Sequence, residues 1–584
     1  MKFWFRFPAS LSSDATRTQR RRSLLLAVVL ITVLPLAYRG PSCGQDADFH
    51  LQNWLEVVAH WQHGVLYPHW AASANYLAGE PRFVFYPPLS WMLGGLLGVI
   101  LPWTWTPLAF TVLALLAAGF AFRAMAREWM PLDSATIAAC LYVLNPYMLF
   151  VAYERGSMAE LLAAAWMPFL VLYGLREKRA FLPLSLTVAA IWLTNAPAAV
   201  MGCYMLAVLV LVASVQRKSW NLVGRAVGAV TLGLGLAGFW LVPALYEQRW
   251  VQIARAIGPL MRVEDSFLFG YASLFGVPAD EQFDTIYHNQ VLRTASWIVV
   301  ALFAGAVIAA WLARRKRIPI WAPLIAVGAM IFFLQLRWSD VVWRLAPELK
   351  FLQFPWRWMM VLGLVFAALA GIAIRSEQTT RRSIAVRGVV MLALAGGMAI
   401  LSSVLFWQPC DEEDNVAAQI ATFHSTGFEG TDEYTLKGVD ESQLAGIASG
   451  FAEPTGPVVV VTAGNTGQPG VNQLEIPANV KIERWNAERM SAVVSTERSG
   501  YAVLRLADYP AWRVTRNGAQ IGERPHRADG LMVIPLDPGV NQIDVRWRLT
   551  ADQWTGIGIF LAALAITLEL GWKERRRLDV NGFR

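Results

Sequence analysis

The sequence predicts a mostly α-helical, polytopic transmembrane bundle with a small β-sandwich inserted before its last span. Only 16% of the 584 residues are charged and 56% are hydrophobic, whereas soluble proteins carry about 25% charged residues. Apolar runs of about 15–20 residues recur along the chain, and most are long enough to cross a hydrocarbon core about 30 Å thick. Over residues 407–552 the apolar periodicity changes from helical to alternating, which favours strands.

About twelve membrane spans are predicted from the length of the apolar runs. They cover residues 23–38, 104–122, 134–151, 158–175, 180–194, 198–215, 226–242, 295–313, 318–336, 358–374, 388–406 and 553–571. The apolar stretch 88–102 is interpreted as an interfacial or re-entrant helix, because counting it as a span would place every later basic loop outside.

Lysine and arginine are distributed unevenly over the loops. Twenty-seven lie in the short segments that this count places inside, 23 lie in the much longer outer segments, and none lies within a predicted span. Cytoplasmic loops carry an excess of basic residues, so both termini are predicted to be cytoplasmic. The N-terminal apolar segment is long and lacks a convincing small-residue cleavage site, so it is not predicted to be a cleavable signal.

The predicted domains follow from this topology. The transmembrane bundle covers 1–406 and includes an acidic first outer loop, 39–103. An extracytoplasmic β-sandwich covers 407–552, and the last span with its basic tail covers 553–584. The localisation implied is multi-pass insertion in a bacterial inner membrane.

Strand and turn signals support the β-sandwich. Val458–Val461 is a short β-branched run, and Ile543, Val545 and Trp547 alternate with charged residues. Asn517-Gly518 is a strong signal for a tight hairpin turn.

The four cysteines are too few for a disulfide scaffold. Cys140 and Cys203 fall in predicted spans and are interpreted as packing residues. Cys43 and Cys410 both fall outside, where oxidation is feasible. A bridge between them is conceivable, but neither spacing nor motif supports it, so unpaired thiols are favoured.

Residues 49–64 show the periodicity of an amphipathic helix lying along the bilayer surface. Trp54 lies on its apolar face, and Glu56, His60 and His63 lie on the opposite stripe. The stripe could bind a metal or transfer protons, or it could be a wet helix face. Helices that bind metals are usually more tightly specified, so the wet face is favoured.

Asp46 and Asp48 stand just beyond the first predicted span. Two carboxylates at this spacing can chelate a divalent cation or supply a general base. The chain carries no nucleotide-binding glycine motif, so a transferred group would come from a lipid donor. The net charge of +8 follows the membrane topology and does not indicate a nucleic-acid partner.

Further ionisable residues share the depth of Asp46 at the outer ends of spans. Glu154, Arg155 and Glu160 surround the start of the predicted span 158–175. Arg155 could pair with Glu160 in a helix-start ion pair, or it could bind a phosphate in bidentate fashion. Acids beside arginines at this level suit a phospholipid-like substrate whose head group lies at the same depth.

Several strings resemble the bacterial membrane family labelled 6-pyruvoyl-tetrahydropterin synthase-related. In chain order they are Gln45–His50, Leu66–Trp70, Phe85–Leu89, Tyr153–Gly156, Ala159-Glu160, Phe239–Glu247, Phe354–Arg357, Glu433-Tyr434 and Tyr509–Trp512. The resemblance runs through nearly the whole chain. Its layout is similar to type-C glycosyltransferases, which have an acidic first outer loop and a polyprenyl-phosphate sugar donor.

This resemblance implies roles for individual residues. Asp46 would be the catalytic carboxylate of the first loop, and Glu154 or Glu160 would be the second acidic position. The candidate substrate-binding residues are Asp48, His50, Arg82, Tyr86, Arg155, Glu247, Trp356 and Arg357. For Arg82 and Arg357 taken singly, an interfacial side chain reaching toward the head groups is the favoured interpretation.

The leading hypothesis is a glycosyltransferase-like membrane protein that moves a sugar from a polyprenyl-phosphate donor to an acceptor on the outer side of the bilayer. The acceptor would be an envelope glycan or a protein. One alternative is a transporter or flippase of lipid-linked saccharide, and another is a non-catalytic envelope assembly protein. No cofactor is certain from the sequence, and a divalent cation stays open.

Overall fold

A computed structural model describes residues 22–279, 281–346, 348–376, 380–439, 457–462 and 476–582. The N-terminal segment 1–21, whose basic residues contribute to the predicted orientation, lies outside these ranges. The described part is mostly helical and carries two β-sheets near its C-terminal end.

Within the described residues the helical part consists of twenty-two segments, labelled α1 to α22. In chain order they are Arg22–Thr32, Leu34–Tyr38, Ala47–Gln62, Ala74–Leu77, Arg82–Phe85, Pro88–Ile100, Thr106–Ala126, Leu132–Val143, Pro146–Tyr153, Met158–Ala163, Met167–Leu175, Phe181–Trp192, Ala196–Arg217, Asn221–Leu236, Gly238–Tyr246, Gln282–Ala313, Trp321–Leu334, Asp340–Leu345, Met359–Ala373, Arg381–Leu405, Val416–His424 and Ala551–Gly582. Short 3₁₀ turns lie at Glu247–Trp250, Pro355–Trp358 and Asp432–Tyr434.

Seven described helices are long and apolar enough to cross a membrane, and ten are if each strongly bent helix pair counts as one span. The bends are 42° between α8 and α9, 77° after α14 and 92° after α17. The predicted spans 23–38 and 180–194 fall on helices too short to meet this criterion. A multi-pass membrane bundle is therefore supported, while the count of twelve spans and the cytoplasmic termini stay predictions.

Local sequence explains the bend between α8 and α9. Asn145 caps α9 by accepting a hydrogen bond from the Met148 N–H at 3.1 Å, and Pro146 occupies the first helical position. Proline is suited to that position because its missing N–H would be unpaired there anyway. The bend places the C-terminal end of α9 beside the first loop.

The eight strands found in the described ranges form two antiparallel sheets. They are β1 Val458–Val461, β2 Asn479–Asn486, β3 Arg489–Thr496, β4 Gly500–Ala507, β5 Trp512–Arg516, β6 Ala519–Ile521, β7 Leu531–Leu536 and β8 Gly539–Trp547. One sheet has the order β1-β4-β7 and the other β2-β3-β8-β5-β6. Side chains from both sheets share one hydrophobic cluster, so the sheets pack as a sandwich.

The strand and turn signals of the sequence are confirmed. Val458–Val461 is β1, and the alternating run at Ile543 and Val545 lies in β8 with both side chains buried. Asn517 and Gly518 both have positive φ, at 50° and 81°, and join β5 to β6. Positive φ at both central residues is the requirement of a type I′ hairpin turn.

The sandwich rests on the first outer loop and on α15 through an aromatic cluster. The Trp70 ring contacts those of Tyr509, Trp512 and Trp547, with centroids 5.2–5.9 Å apart. Large aromatic side chains bury more apolar area than any others, so this cluster fixes the sandwich relative to the loop.

The predicted wet face of the first-loop helix is wrong. Glu56 and His60 in α3 are each only 2% exposed, although His63 is exposed. The Glu56 carboxylate accepts the Ser73 N–H at 2.5 Å, and the His60 ring packs against Phe83. Glu56 and His60 therefore lie inside the protein, and of the three stripe residues only His63 faces water.

The preference for unpaired outer thiols is also wrong. Cys43 and Cys410 form a disulfide that joins the first loop to the segment after α20, across 367 residues of sequence. Cys140 is buried and unpaired, and Cys203 is partly buried and unpaired.

Candidate functional site

The first loop lies directly against the turn between α9 and α10. The Asp46 N–H donates to the Arg155 carbonyl at 2.8 Å, and the Gln45 N–H donates to the Glu154 carbonyl at 3.2 Å. Gly44 permits this approach, because a Cβ there would lie 2.2 Å from the Glu154 carbonyl oxygen. Gly156 completes the turn with φ of +60°. Two backbone segments 109 residues apart are thus held in register.

Replacing Gly44 with alanine tests this contact. The new methyl group would meet backbone atoms of Tyr153 and Glu154, which cannot move aside as a side-chain end can. We expect the free energy of unfolding to fall by about 1–3 kcal/mol. Thermal unfolding of the purified protein measures it. Gly522→Ala is the matched control, because a Cβ at that position would have no heavy atom within 4 Å; equal destabilisation by both changes would contradict the close contact.

A second set of bonds clamps the loop to the end of α20. The Ser42 hydroxyl donates to the Tyr153 carbonyl at 2.7 Å and accepts the Gln408 N–H at 2.8 Å. The Gln408 side-chain amide donates to the Glu154 carboxylate at 2.5 Å. With the disulfide, these bonds make Glu154 part of the clamp and turn its carboxylate toward Gln408.

Four charged side chains form a connected cluster beside this clamp. The Arg155 guanidinium donates to Asp46 Oδ2 at 3.2 Å and to Glu160 Oε2 at 2.5 Å. Arg357 Nε lies 3.7 Å from the same Glu160 oxygen. Tyr147 donates its hydroxyl to Glu160 Oε1 at 2.5 Å. Glu160 is therefore the centre of a buried network with two arginines.

Of the four side chains in the cluster, that of Asp46 in the first loop is the most exposed. The Asp46 side chain is 37% exposed, whereas the Arg155 and Glu160 side chains are 2% exposed and that of Arg357 is 10% exposed. A buried charge is tolerated only when paired, which accounts for the two arginines around Glu160. Asp46 alone combines an accessible carboxylate with a fixed buried cation, which is the arrangement of a positioned general base.

Aromatic side chains form the walls around these charges. The Arg155 guanidinium lies 5.3 Å from the centroid of the Trp356 ring, and Trp356 stacks on Phe354. On the loop side, the Tyr86 ring lies 6.0 Å from that of His50. Such apolar walls strengthen charge interactions by excluding water.

His50 is a neutral member of this wall. Burial lowers the pKa of His50 to about 4. Its Nε2 is buried and has no hydrogen-bond partner among the described residues. The imidazole can therefore donate or accept one hydrogen bond to a ligand group, but it carries no charge near neutral pH.

Three predicted site residues do not join the cluster. Arg82 is buried in an ion pair with Glu80 at 2.5 Å and also donates to Asn53 and Thr431. Glu247 accepts hydrogen bonds from Tyr509, Thr550 and Gln553, so it links α15 to the sandwich and to α22. Asp48 is exposed and lines a separate small cavity with Asp414.

The expectation of one shared site for all these residues is therefore too broad. The predicted topology puts all of them at the outer ends of spans or in outer loops, but the structure separates Arg82, Glu247 and Asp48 from the others. The candidate site consists of Asp46, Arg155, Glu160 and Arg357, with Glu154, His50, Tyr86 and Trp356 around them.

A divalent cation does not fit the Asp46–Asp48 pair in this conformation. Asp46 is engaged by Arg155, and Asp48 lies on the solvent side of the loop. Among the described residues, no group of three or more His, Cys, Asp or Glu side chains is arranged to hold a metal ion.

Tyr147 and Gln408 are two site residues that the sequence did not reveal. Tyr147 lies in an apolar run and Gln408 follows a predicted span, so neither stands in a motif that signals a ligand. The buried position of Glu160 was the available signal, because such a carboxylate needs hydrogen-bond donors nearby.

The fold and the cluster define a polytopic membrane protein with a buried charged site in its helical part and a C-terminal β-sandwich. Residues 83–409 match the family model described as 6-pyruvoyl-tetrahydropterin synthase related domain, a membrane protein. The chain belongs to this family, which confirms the resemblance found in its sequence.

Three solved structures of membrane glycosyltransferases are similar to the chain, each with a low TM-score. The arabinofuranosyltransferase AftD from Mycobacteria is 20% identical over 66% of this chain and 27% of that chain, with a TM-score of 0.38. The arabinosyltransferase EmbB from Mycobacterium smegmatis is 12% identical over 94% and 64%, with a TM-score of 0.35. An oligosaccharyltransferase from Archaeoglobus fulgidus is 14% identical over 67% and 54%, with a TM-score of 0.35.

The chain thus spans less than two thirds of each of these structures. Scores at this level assign no function. No curated protein matches the sequence.

Proposed function

We propose that this chain is a membrane glycosyltransferase. It would transfer a sugar from a polyprenyl-phosphate donor to an envelope glycan or protein acceptor on the outer face of the bacterial inner membrane. The observation that carries the proposal is the Asp46–Arg155–Glu160–Arg357 cluster, in which one accessible carboxylate is paired with a buried arginine network. The clamp around the first loop supports it, because a general base must be held still to be effective.

In the proposed reaction an acceptor hydroxyl attacks the anomeric carbon of the donor sugar. Its proton passes to the Asp46 carboxylate as the new glycosidic bond forms. The bond between the anomeric carbon and the phosphate oxygen breaks, and polyprenyl phosphate leaves with the electron pair. Arg155 orients Asp46 through their ion pair, and the arginines stabilise the growing negative charge on the leaving phosphate.

Arg357 is the better of the two arginines for the phosphate. Arg155 is already bonded to two carboxylates, whereas Arg357 contacts Glu160 only at 3.7 Å and donates to the Leu352 carbonyl at 3.1 Å. Its Nε has no hydrogen-bond partner among the described residues. A guanidinium with donors to spare suits a phosphate, which accepts two parallel hydrogen bonds from it.

Arg357→Gln is therefore expected to weaken donor binding. Removing a charge-assisted hydrogen bond to phosphate should raise the KM for the donor about 10- to 100-fold. Glu160 keeps Arg155 as its partner, so the fold should survive the change. Steady-state kinetics at varied donor concentration measures the effect, and Arg357→Lys should restore part of it. An unchanged KM would remove Arg357 from the phosphate site.

The proposed activity is tested with purified protein in vesicles that contain a labelled polyprenyl-phosphate sugar and an added glycan acceptor. Transfer moves the label from the lipid to the acceptor. Movement of intact labelled lipid between leaflets, without loss of the sugar, would instead support a transporter or flippase. If neither occurs, and cells that produce the protein without residues 411–550 show the same defect as cells that lack the protein, a non-catalytic assembly role replaces the proposal.

A further inference from the structure

A second cavity lies apart from the Asp46 cluster, between the bundle and the sandwich. It measures about 240 Å³. The Glu247–Trp250 turn and residues 436–439 form one side of it, and the turns at 508–510 and 525–531 form the other. Its size is below the range of about 300–1,000 Å³ for drug-sized ligands, and suits a single ring or a small ionic group.

Backbone pairing builds one wall of this cavity. The Lys437 N–H donates to the Trp250 carbonyl at 3.0 Å, and the Gln252 side chain donates to the Leu436 carbonyl at 3.1 Å. Gly530 packs so closely on Val439 that an added Cβ would lie 2.4 Å from its Cγ2. These contacts fix the two sides of the cavity relative to each other.

Among the residues that the structure describes, two cations that line the cavity have no carboxylate partner. Asp508 is paired with Arg524 at 2.6 Å, and Arg527 is paired with Asp529 at 2.7 Å. Arg249 and Lys437 are exposed, and within the described part of the chain neither forms an ion pair with a carboxylate. Unneutralised cations in a concave site attract anions.

The cavity also presents an apolar ring surface and further hydrogen-bonding groups. Trp250 contributes its indole, and the Arg249 guanidinium lies 3.5 Å from the centroid of Tyr246, which holds it beside the opening. The Asp508 carboxylate also lines the cavity and can accept hydrogen bonds from hydroxyl groups. An aromatic face for the C–H side of a ring, polar groups for its hydroxyls and excess positive charge together fit a charged sugar.

We propose that this cavity binds a saccharide that carries a negative charge, such as a uronate or a sugar phosphate. Lys437 and Arg249 bind the anionic group, and Trp250 packs against the ring. The further assignment of this saccharide as part of the acceptor glycan rests on the proposed transfer reaction, whereas the binding itself does not.

Binding is tested with the full-length protein in lipid nanodiscs by titration calorimetry. The probes are glucuronic acid, glucose 1-phosphate, glucose and inorganic phosphate. The two anionic sugars should bind more tightly than either glucose or phosphate. Lys437→Gln should weaken their binding about five- to tenfold, because it removes one charge-assisted hydrogen bond at a partly exposed site. Lys481→Gln, an exposed change on β2, is the matched control and should have no effect.

Trp250→Ala and Arg249→Gln provide a second measurement that separates ring packing from charge. Phosphate binding as tight as that of glucose 1-phosphate, with no effect of Trp250→Ala, would show an anion site without sugar recognition and overturn the proposal. Equal binding of glucose, unaffected by Lys437→Gln, would overturn it too, as would an absence of binding.

Arg357→Gln and Asp46→Asn separate the two proposals. If anionic sugars lose binding in Arg357→Gln and keep it in Lys437→Gln, they bind at the Asp46 cluster and the cavity assignment fails. If Asp46→Asn retains full sugar transfer while the cavity variants lose sugar binding, the catalytic proposal fails and the cavity assignment stands.

Discussion

Asp46→Asn is expected to lower the rate of sugar transfer about 10²- to 10⁴-fold, the usual contribution of a positioned general base. Asparagine keeps the shape of the side chain and can still accept a hydrogen bond from Arg155. It cannot take up the proton of the acceptor hydroxyl. The loss should therefore appear in kcat, while the KM for the donor changes little. Labelled transfer with the purified variant is the measurement.

A stability control separates chemistry from folding in this experiment. The Asp46 side chain is 37% exposed, so its ion pair with Arg155 should contribute at most about 1 kcal/mol to the free energy of unfolding. Thermal unfolding should therefore be nearly unchanged. Asp411→Asn, which alters an exposed acid next to the disulfide, should retain transfer. Wild-type turnover by Asp46→Asn would rule out Asp46 as the base.

Glu160→Gln should have the largest effect on stability. The change leaves Arg155 and Arg357 facing each other with only Asp46 to offset them, in a place where Glu160 is 1% exposed. Removing one partner of a buried ion pair typically costs about 3–5 kcal/mol. The variant should unfold at a markedly lower temperature and be cleaved faster by added protease.

Two comparisons make this result specific. Glu264→Gln removes an exposed partner of Arg344 and should cost no more than about 1 kcal/mol. The double change Glu160→Gln with Arg357→Gln removes one charge of each sign and should recover part of the lost stability. A loss no larger than that of Glu264→Gln would mean that the buried network does not stabilise the bundle.

The sequence predicted the membrane bundle and the sandwich because both leave periodic signals. Apolar runs mark membrane helices, and alternating residues with Asn517-Gly518 mark strands and their turn. The same kind of periodicity gave a wrong prediction for α3, whose polar face was expected to contact water. A polar stripe on a helix means only that polar groups share a face, and it does not distinguish water from buried partners such as those of Glu56.

Loop assignment predicted a common level for the site residues, but it could not predict which of them are neighbours. Loop assignment places Asp46, Arg155, Arg82 and Glu247 at one level, and the structure brings only the first two together. Which helices are neighbours depends on side-chain packing between distant segments, and one sequence carries no direct record of that. The pairing of Cys43 with Cys410 was missed for the same reason.

The bond between Cys43 and Cys410 also sets the order in which a working molecule can be made. Asp46 is synthesised long before Cys410, yet its loop is locked only after Cys410, 367 positions beyond Cys43, has been synthesised and brought beside it. Disulfides form in oxidising compartments, so locking awaits delivery of both cysteines to such a compartment. A partly translated chain would therefore contain Asp46 without the disulfide that fixes its loop. The proposed site would become complete only after Cys410 has been synthesised.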